Sequence, residues 1–165
     1  MKLADAFIFE LKHEAHTTRK VLERIPEEKF DWKPHEKSMT MGRLATHVAE
    51  LIGWVDYVFA SSELDLSKSY KPFEPKTNSE LLEFFDKNFQ TALKALEKAS
   101  DEEMLENWSL KRDSVVLLSM PRVQVLRGLV FNHFIHHRGQ LSVYLRLNNL
   151  PVPSIYGPSA DENNM

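Results

Sequence analysis

Four stretches of the chain place apolar side chains at helical spacing, and each is cut off by proline or by a polar run. This alternation confines the chain to a small bundle of amphipathic helices. In the first stretch, about Leu3 to Arg24, the residues Leu3, Phe7, Leu11, Ala15, Thr18, Leu22 and Ile25 share a stripe, with Glu14, Thr17, Lys20 and Arg24 mostly opposite. Pro26 and Pro34, within IPEEKFDWKPHEKS, then disfavour helix in the residues before them. A second helix starts near Ser38 to Thr40, either of which can cap it. It carries Met41, Leu44, Ala45, Val48, Leu51, Ile52, Val55 and Val58 on one face and ends ahead of SSELDLSKSYKPFEPK, a polar loop with two prolines.

The third helix opens with Thr77 and Glu80 at the spacing of a capping box, in which each side chain bonds the other's backbone N–H. Leu81, Phe85, Phe89, Ala92, Leu96 and Ala99 follow on one face. The fourth begins at Pro121, a favoured first helical residue, and runs to about Asn148, with Asn149 and Pro151 as stop signals. Its stripe reads Leu126, Leu129, Val130, His133, His137, Leu141 and Tyr144. Between helices three and four, SVVLLS reads equally as a short extended piece or as part of a helical turn. The tail VPSIYGPSADENNM is irregular, and its end is expected to fray. The expected fold is therefore all-α: a four-helix bundle forming a single domain over residues 1–165. The long connections on either side of helix three permit crossovers, so simple up-down-up-down order is not required.

Hydrophobic residues make up 42% of the chain, enough for a core. The 24 acidic residues outnumber the 21 basic ones, which leaves no strongly basic surface to displace counterions from a nucleic acid. There is no secretory signal and no apolar run of bilayer-spanning length, so a cytoplasmic protein without membrane contact is expected. The chain has no cysteine. Disulfides, zinc–thiolate sites, iron–sulfur clusters and a cysteine nucleophile of its own are excluded.

Histidine is where chemistry enters. NHFIHHRGQ, residues 132–140, holds three of the seven histidines. His133 and His137 are four apart, about 6 Å along a helix axis, so both rings can lean toward one point. Their apolar neighbours place them toward the bundle interior. His47, in LATHVAELIGW, shares a face with Leu44, Leu51 and Trp54 and is the natural third donor. A divalent metal takes imidazole nitrogen at roughly 2.0–2.1 Å. Three buried imidazoles without a metal would leave several polar atoms in need of partners. Alone, each of these histidines reads as an ordinary core residue; the combination points to a metal.

The other histidines read differently. His136 points about 100° away from His137 and belongs to the surface or the site's periphery. HEAH, with His13 and His16, is one residue short of a metalloprotease H-E-x-x-H and reads as a polar helix face. ELKH, residues 10–13, has the spacing of di-iron carboxylate bundles but no second copy. His35 lies in a proline loop and is expected to be exposed. Gly128 and Gly139 lie inside helix four at about 1 kcal/mol each against alanine, for which close helix packing is a sufficient reason. Arg138 and Gln140 suit a role as donors around the ligands, as a substrate clamp or as plain surface residues.

LATHVAE early in a second helix, preceded by FDWKPHEKSMTMGRL and followed far downstream by NHFIHHRGQLSVYLR, resembles the DinB / YfiT-like family, and the closing SIYGPSADE is similar as well. H-x-x-x-H-R-G-Q is the most specific part, and the likeness spans most of the chain. The resemblance implies a four-helix bundle of up-down-down-up order, often a homodimer. It also implies a divalent ion (zinc, nickel or iron) held by His47, His133 and His137. The family includes thiol S-transferases and isomerases that use low-molecular-weight thiols such as bacillithiol or mycothiol.

Three protein ligands leave coordination positions open, as catalytic metal sites do. The first expectation is metal-dependent transfer of a low-molecular-weight thiol to a small electrophilic molecule. A metal-dependent hydrolase, a non-catalytic metal-binding bundle and purely structural histidines are the alternatives. No residue besides the ligands has an assignable catalytic role in the sequence.

Overall fold

The computed structural model describes residues 2–68 and 72–163. Four long helical runs dominate it: α1 (Leu3–Glu23), α2 (Met41–Ala60), α3 (Asn78–Lys98), and a final run made of α5 (Arg122–Val125), a π-helical stretch (Leu126–Asn132) and α6 (His133–Leu147). A short helix, α4 (Asp101–Leu105), precedes the last run, and a 3-10 turn (Glu27–Lys29) follows α1. The caps lie where the sequence puts them. The Thr40 hydroxyl accepts from the Arg43 N–H at 3.2 Å and the Thr77 hydroxyl from the Glu80 N–H at 3.2 Å. The box at Thr77 closes differently from expectation, because the Glu80 carboxylate accepts the N–H of Lys76 at 2.6 Å. Pro121 is the residue before the last helical run rather than its first member.

The helices meet around one apolar core that includes Leu11, Leu22, Leu44, Leu51, Phe85, Leu96, Leu126 and Leu141. Both α1 and α2 pack on α3 and on α6. The faces of α2 and α6 are thus opposed, and this opposition brings distant histidines together.

The all-α expectation needs a correction. A small sheet of order β1-β2-β3 is present, with β1 (Glu63–Asp65) parallel and β3 (Val115–Pro121) antiparallel to the central β2 (Asn107–Arg112). Trp108 and Leu110 alternate with polar residues along β2 and are buried, the period-2 pattern of a half-covered strand. Asp113 takes the left-handed conformation (φ 54°) at the hairpin turn, which short polar side chains tolerate. SVVLLS is thus extended from Val115 onward, and its Val115, Val116 and Leu117 are exposed on the edge strand. β1 occupies part of the polar loop expected after helix two; residues 69–71 of that loop lie outside the described residues.

The tail is irregular but tied down. The N–H groups of Val152 and Ser154 donate to the carboxylates of Asp161 (2.9 Å) and Glu162 (3.0 Å), and Arg24 and Arg146 pair with Glu162 and Asp161. The fraying expected of its end falls on residues 164–165, which lie outside the described residues. Among the described residues, no helix is long and apolar enough to cross a membrane.

Candidate metal centre

From Leu126 onward, the fully buried positions on the last helical run are Leu126, Val130, Phe131, Phe134, Arg138, Leu141 and Leu145. This set is rotated from the expected stripe. Leu129, His133, His137 and Tyr144 stand at its half-buried edge rather than facing the interior. The π-helical stretch ends immediately before His133; such turns recur at functional sites. Facing this edge, His47 on α2 is also half-buried, its side chain 17% exposed. One ring nitrogen from each of His47, His133 and His137 lies within 4.8 Å of the others. Ring centroids are 5.1 Å apart for His47 and His133, 4.8 Å for His47 and His137, and 4.6 Å for His133 and His137.

The hydrogen bonds behind the rings decide which nitrogens face inward. His133 bonds the Leu129 carbonyl one turn back, and His137 Nδ1 meets Gln140 Oε1 at 2.7 Å. Both acceptors call for N–H on the outer nitrogen. The Nε2 atoms of His133 and His137 then carry lone pairs, and they lie 2.8 Å apart. Two lone pairs at that distance repel each other; a cation shared with a third nitrogen makes the arrangement attractive. The donor set therefore suits a divalent metal ion, and the half-open edge suits a site with free coordination positions.

Burial holds the His133 imidazole down at about 4, with the rings of His137 and His47 adding to the effect and the bond to Leu129 opposing it. His137 is lowered too, by burial first and by His47 and His136, against its bond to the Gln140 oxygen. In the unfolded chain these rings titrate near 6.5. Acid therefore favours unfolding: the metal-free protein should lose stability as pH falls from about 6.5 toward 4 and be insensitive to this pair at higher pH. Urea midpoints measured across that range provide the check, and His133→Ala should lessen the fall. A flat profile in the wild type would contradict the reading.

The remaining residues separate cleanly. His136 is exposed, its ring centroid 5.0 Å from that of His137. His13, His16 and His35 are exposed and take no part. Gln140 touches a candidate ligand directly. Arg138 is neither a surface residue nor a clamp: it is 1% exposed and ion-paired with buried Glu14. Sequence reasoning missed Glu50, whose carboxylate lies 3.5 Å from His47 Nδ1, although its i,i+3 spacing from His47 was visible. Close packing does not account for the two glycines, since a Cβ at Gly128 or Gly139 would meet nothing within 4 Å. A cleft of about 430 Å³ opens beside the first turns of α2, but none of the three histidines lines it. The accessible side of the centre is its own solvent-facing edge.

Comparison with known proteins agrees with the fold. The DinB family model matches residues 2–164. The YrdA protein of Bacillus subtilis strain 168 is 27% identical over 158 residues, which cover 96% of this chain and 90% of that protein. A crystal structure of a DinB-like protein from Bacillus cereus ATCC 10987 superposes with a TM-score of 0.72 at 24% identity, covering 92% of this chain and 97% of the other. A DinB-like protein from Bacillus subtilis gives a TM-score of 0.72 at 18% identity, covering 95% and 98%.

Proposed function

The chain belongs to the DinB family, and on that premise we propose that His47, His133 and His137 hold a divalent metal ion and that the protein is a metal-dependent thiol S-transferase acting on small electrophiles. The observation that carries the reading is the 2.8 Å approach of two imidazole nitrogens whose outer N–H groups are already committed. Zinc, nickel and iron all suit imidazole donors. A divalent ion supplies Lewis acidity, favouring the deprotonated form of a thiol or a water molecule that reaches it.

The protein's own contribution is positional. Three rings on two opposed helices bring one nitrogen each to within 4.8 Å of the others, and the outer bonds of His133 and His137 keep those two rings from turning away. The edge location leaves room for a small molecule. Since the chain has no cysteine, the sulfur nucleophile must arrive as a cosubstrate. In the overall transfer, the thiol sulfur bonds to the electrophilic carbon, the leaving group departs with its electron pair, and the thiol proton passes to solvent.

Elemental analysis of protein purified without a histidine tag should find about one divalent ion per chain. A panel of alkyl halides and activated esters, offered with and without low-molecular-weight thiols, should then show thiol-dependent, chelator-sensitive turnover. Turnover that needs no thiol would overturn the transferase reading in favour of hydrolysis. A loaded protein inert to the whole panel would favour a non-catalytic metal-binding bundle.

A further inference from the structure

The three candidate ligands differ in what stands behind them. Behind His133 is a backbone carbonyl, and behind His137 an amide oxygen. Behind His47 is the carboxylate of Glu50, three residues on along the same helix face. Glu50 is 6% exposed. A carboxylate at that depth is costly unless partnered. Glu50 Oε2 accepts from Arg43 Nη2 at 2.9 Å and stands 3.5 Å from His47 Nδ1, and Oε1 accepts from the Phe73 N–H at 3.3 Å. Two of these contacts come from α2 itself and the third from the segment before α3, and together they leave the carboxylate little freedom to rotate.

From this arrangement we infer that Glu50 is a positioning residue of the centre: it keeps His47 turned with Nε2 toward the other two rings and places a negative charge behind the ligand set. The inference rests on the metal reading above. An anionic partner on Nδ1–H makes Nε2 a better donor than a neutral partner does, and it offsets part of an added cation's charge. Arg43 acts one step further out. Its bond to Oε2 fixes the oxygen that faces His47.

Titration of metal-stripped, tag-free protein with Co²⁺, followed by calorimetry and by visible absorption, tests the inference. The wild type should bind one ion per chain. Glu50→Gln, which keeps the shape and an acceptor oxygen but loses the charge, should bind about 10-fold more weakly with the same stoichiometry. Glu50→Ala should lose about 100-fold and shift the cobalt absorption, because His47 is freed to turn. Wild-type affinity and spectrum in both variants would overturn the role of Glu50 while leaving the metal site intact. So would a lower melting temperature of the metal-free variants with unchanged cobalt affinity, which is the signature of a merely structural carboxylate. No cobalt uptake by the wild type would overturn the metal reading and this inference with it.

Discussion

His133→Ala and His137→Ala should each abolish stoichiometric binding of a divalent ion, as should His47→Ala, whereas His136→Ala should keep it. The expectation follows from position on the helix. His133 and His137 meet at 2.8 Å through Nε2, while His136 is exposed and reaches only the flank of His137. Removing one of three donors should cost more than the 10–100-fold typical of an outer partner, since two imidazoles leave the ion mostly to solvent. Equilibrium dialysis against zinc, with the metal-free melting temperature recorded for each variant, measures it. The fold should survive all four changes, because each ring sits at the edge of the core. Equal losses at 133, 136 and 137 would mean that the histidine-bearing face has been assigned wrongly.

Much of this site was legible in the sequence, and the reasons are physical. An i,i+4 pair of histidines on one helix and a single histidine on another, each beside apolar residues, can be read from spacing alone. The caps at Thr40 and Thr77 were legible because their side chains act locally. The sheet was not. β1 has three residues, too few to show a period, and β3 exposes Val115, Val116 and Leu117 at an edge where alternation is lost. The true buried face of the last helix was hidden by Arg138, a charge at a core position. With it discounted, the apolar pattern appeared to run through the histidines instead. The same reasoning puts Glu14 toward solvent, whereas it is buried. Each of the two makes sense in the core only beside the other, and 124 residues separate them.

That pair yields the largest expected effect on stability. Arg138→Leu should destabilise the protein by about 3–5 kcal/mol, because it strands the Glu14 carboxylate in the core. Side-chain exposure is 1% for Arg138 and 6% for Glu14. Their ion pair is extended by Tyr156, whose hydroxyl accepts from Arg138 Nη2 at 2.6 Å and donates to Glu14 Oε1 at 2.9 Å. Arg138 Nη1 also reaches the Thr18 hydroxyl at 3.3 Å. The network thus joins α1, α6 and the tail. Burial, with help from the bond to Glu14, raises the Tyr156 phenol above its ordinary range, which keeps it a donor. For a chain of this length the loss corresponds to a fall in melting temperature of roughly 6–20 °C. Replacing both partners, as Glu14→Leu with Arg138→Leu, should recover much of it, since an apolar pair of similar volume removes the stranded charge. Tyr156→Phe should cost about 1.5–3 kcal/mol, less than Arg138→Leu, because the hydroxyl's two bonds go to charged partners that still have each other. Urea unfolding of the four proteins decides the matter. A double variant as unstable as Arg138→Leu would show that the guanidinium acts through packing against its neighbours, including the Tyr156 ring 5.0 Å away, rather than through the charge it neutralises.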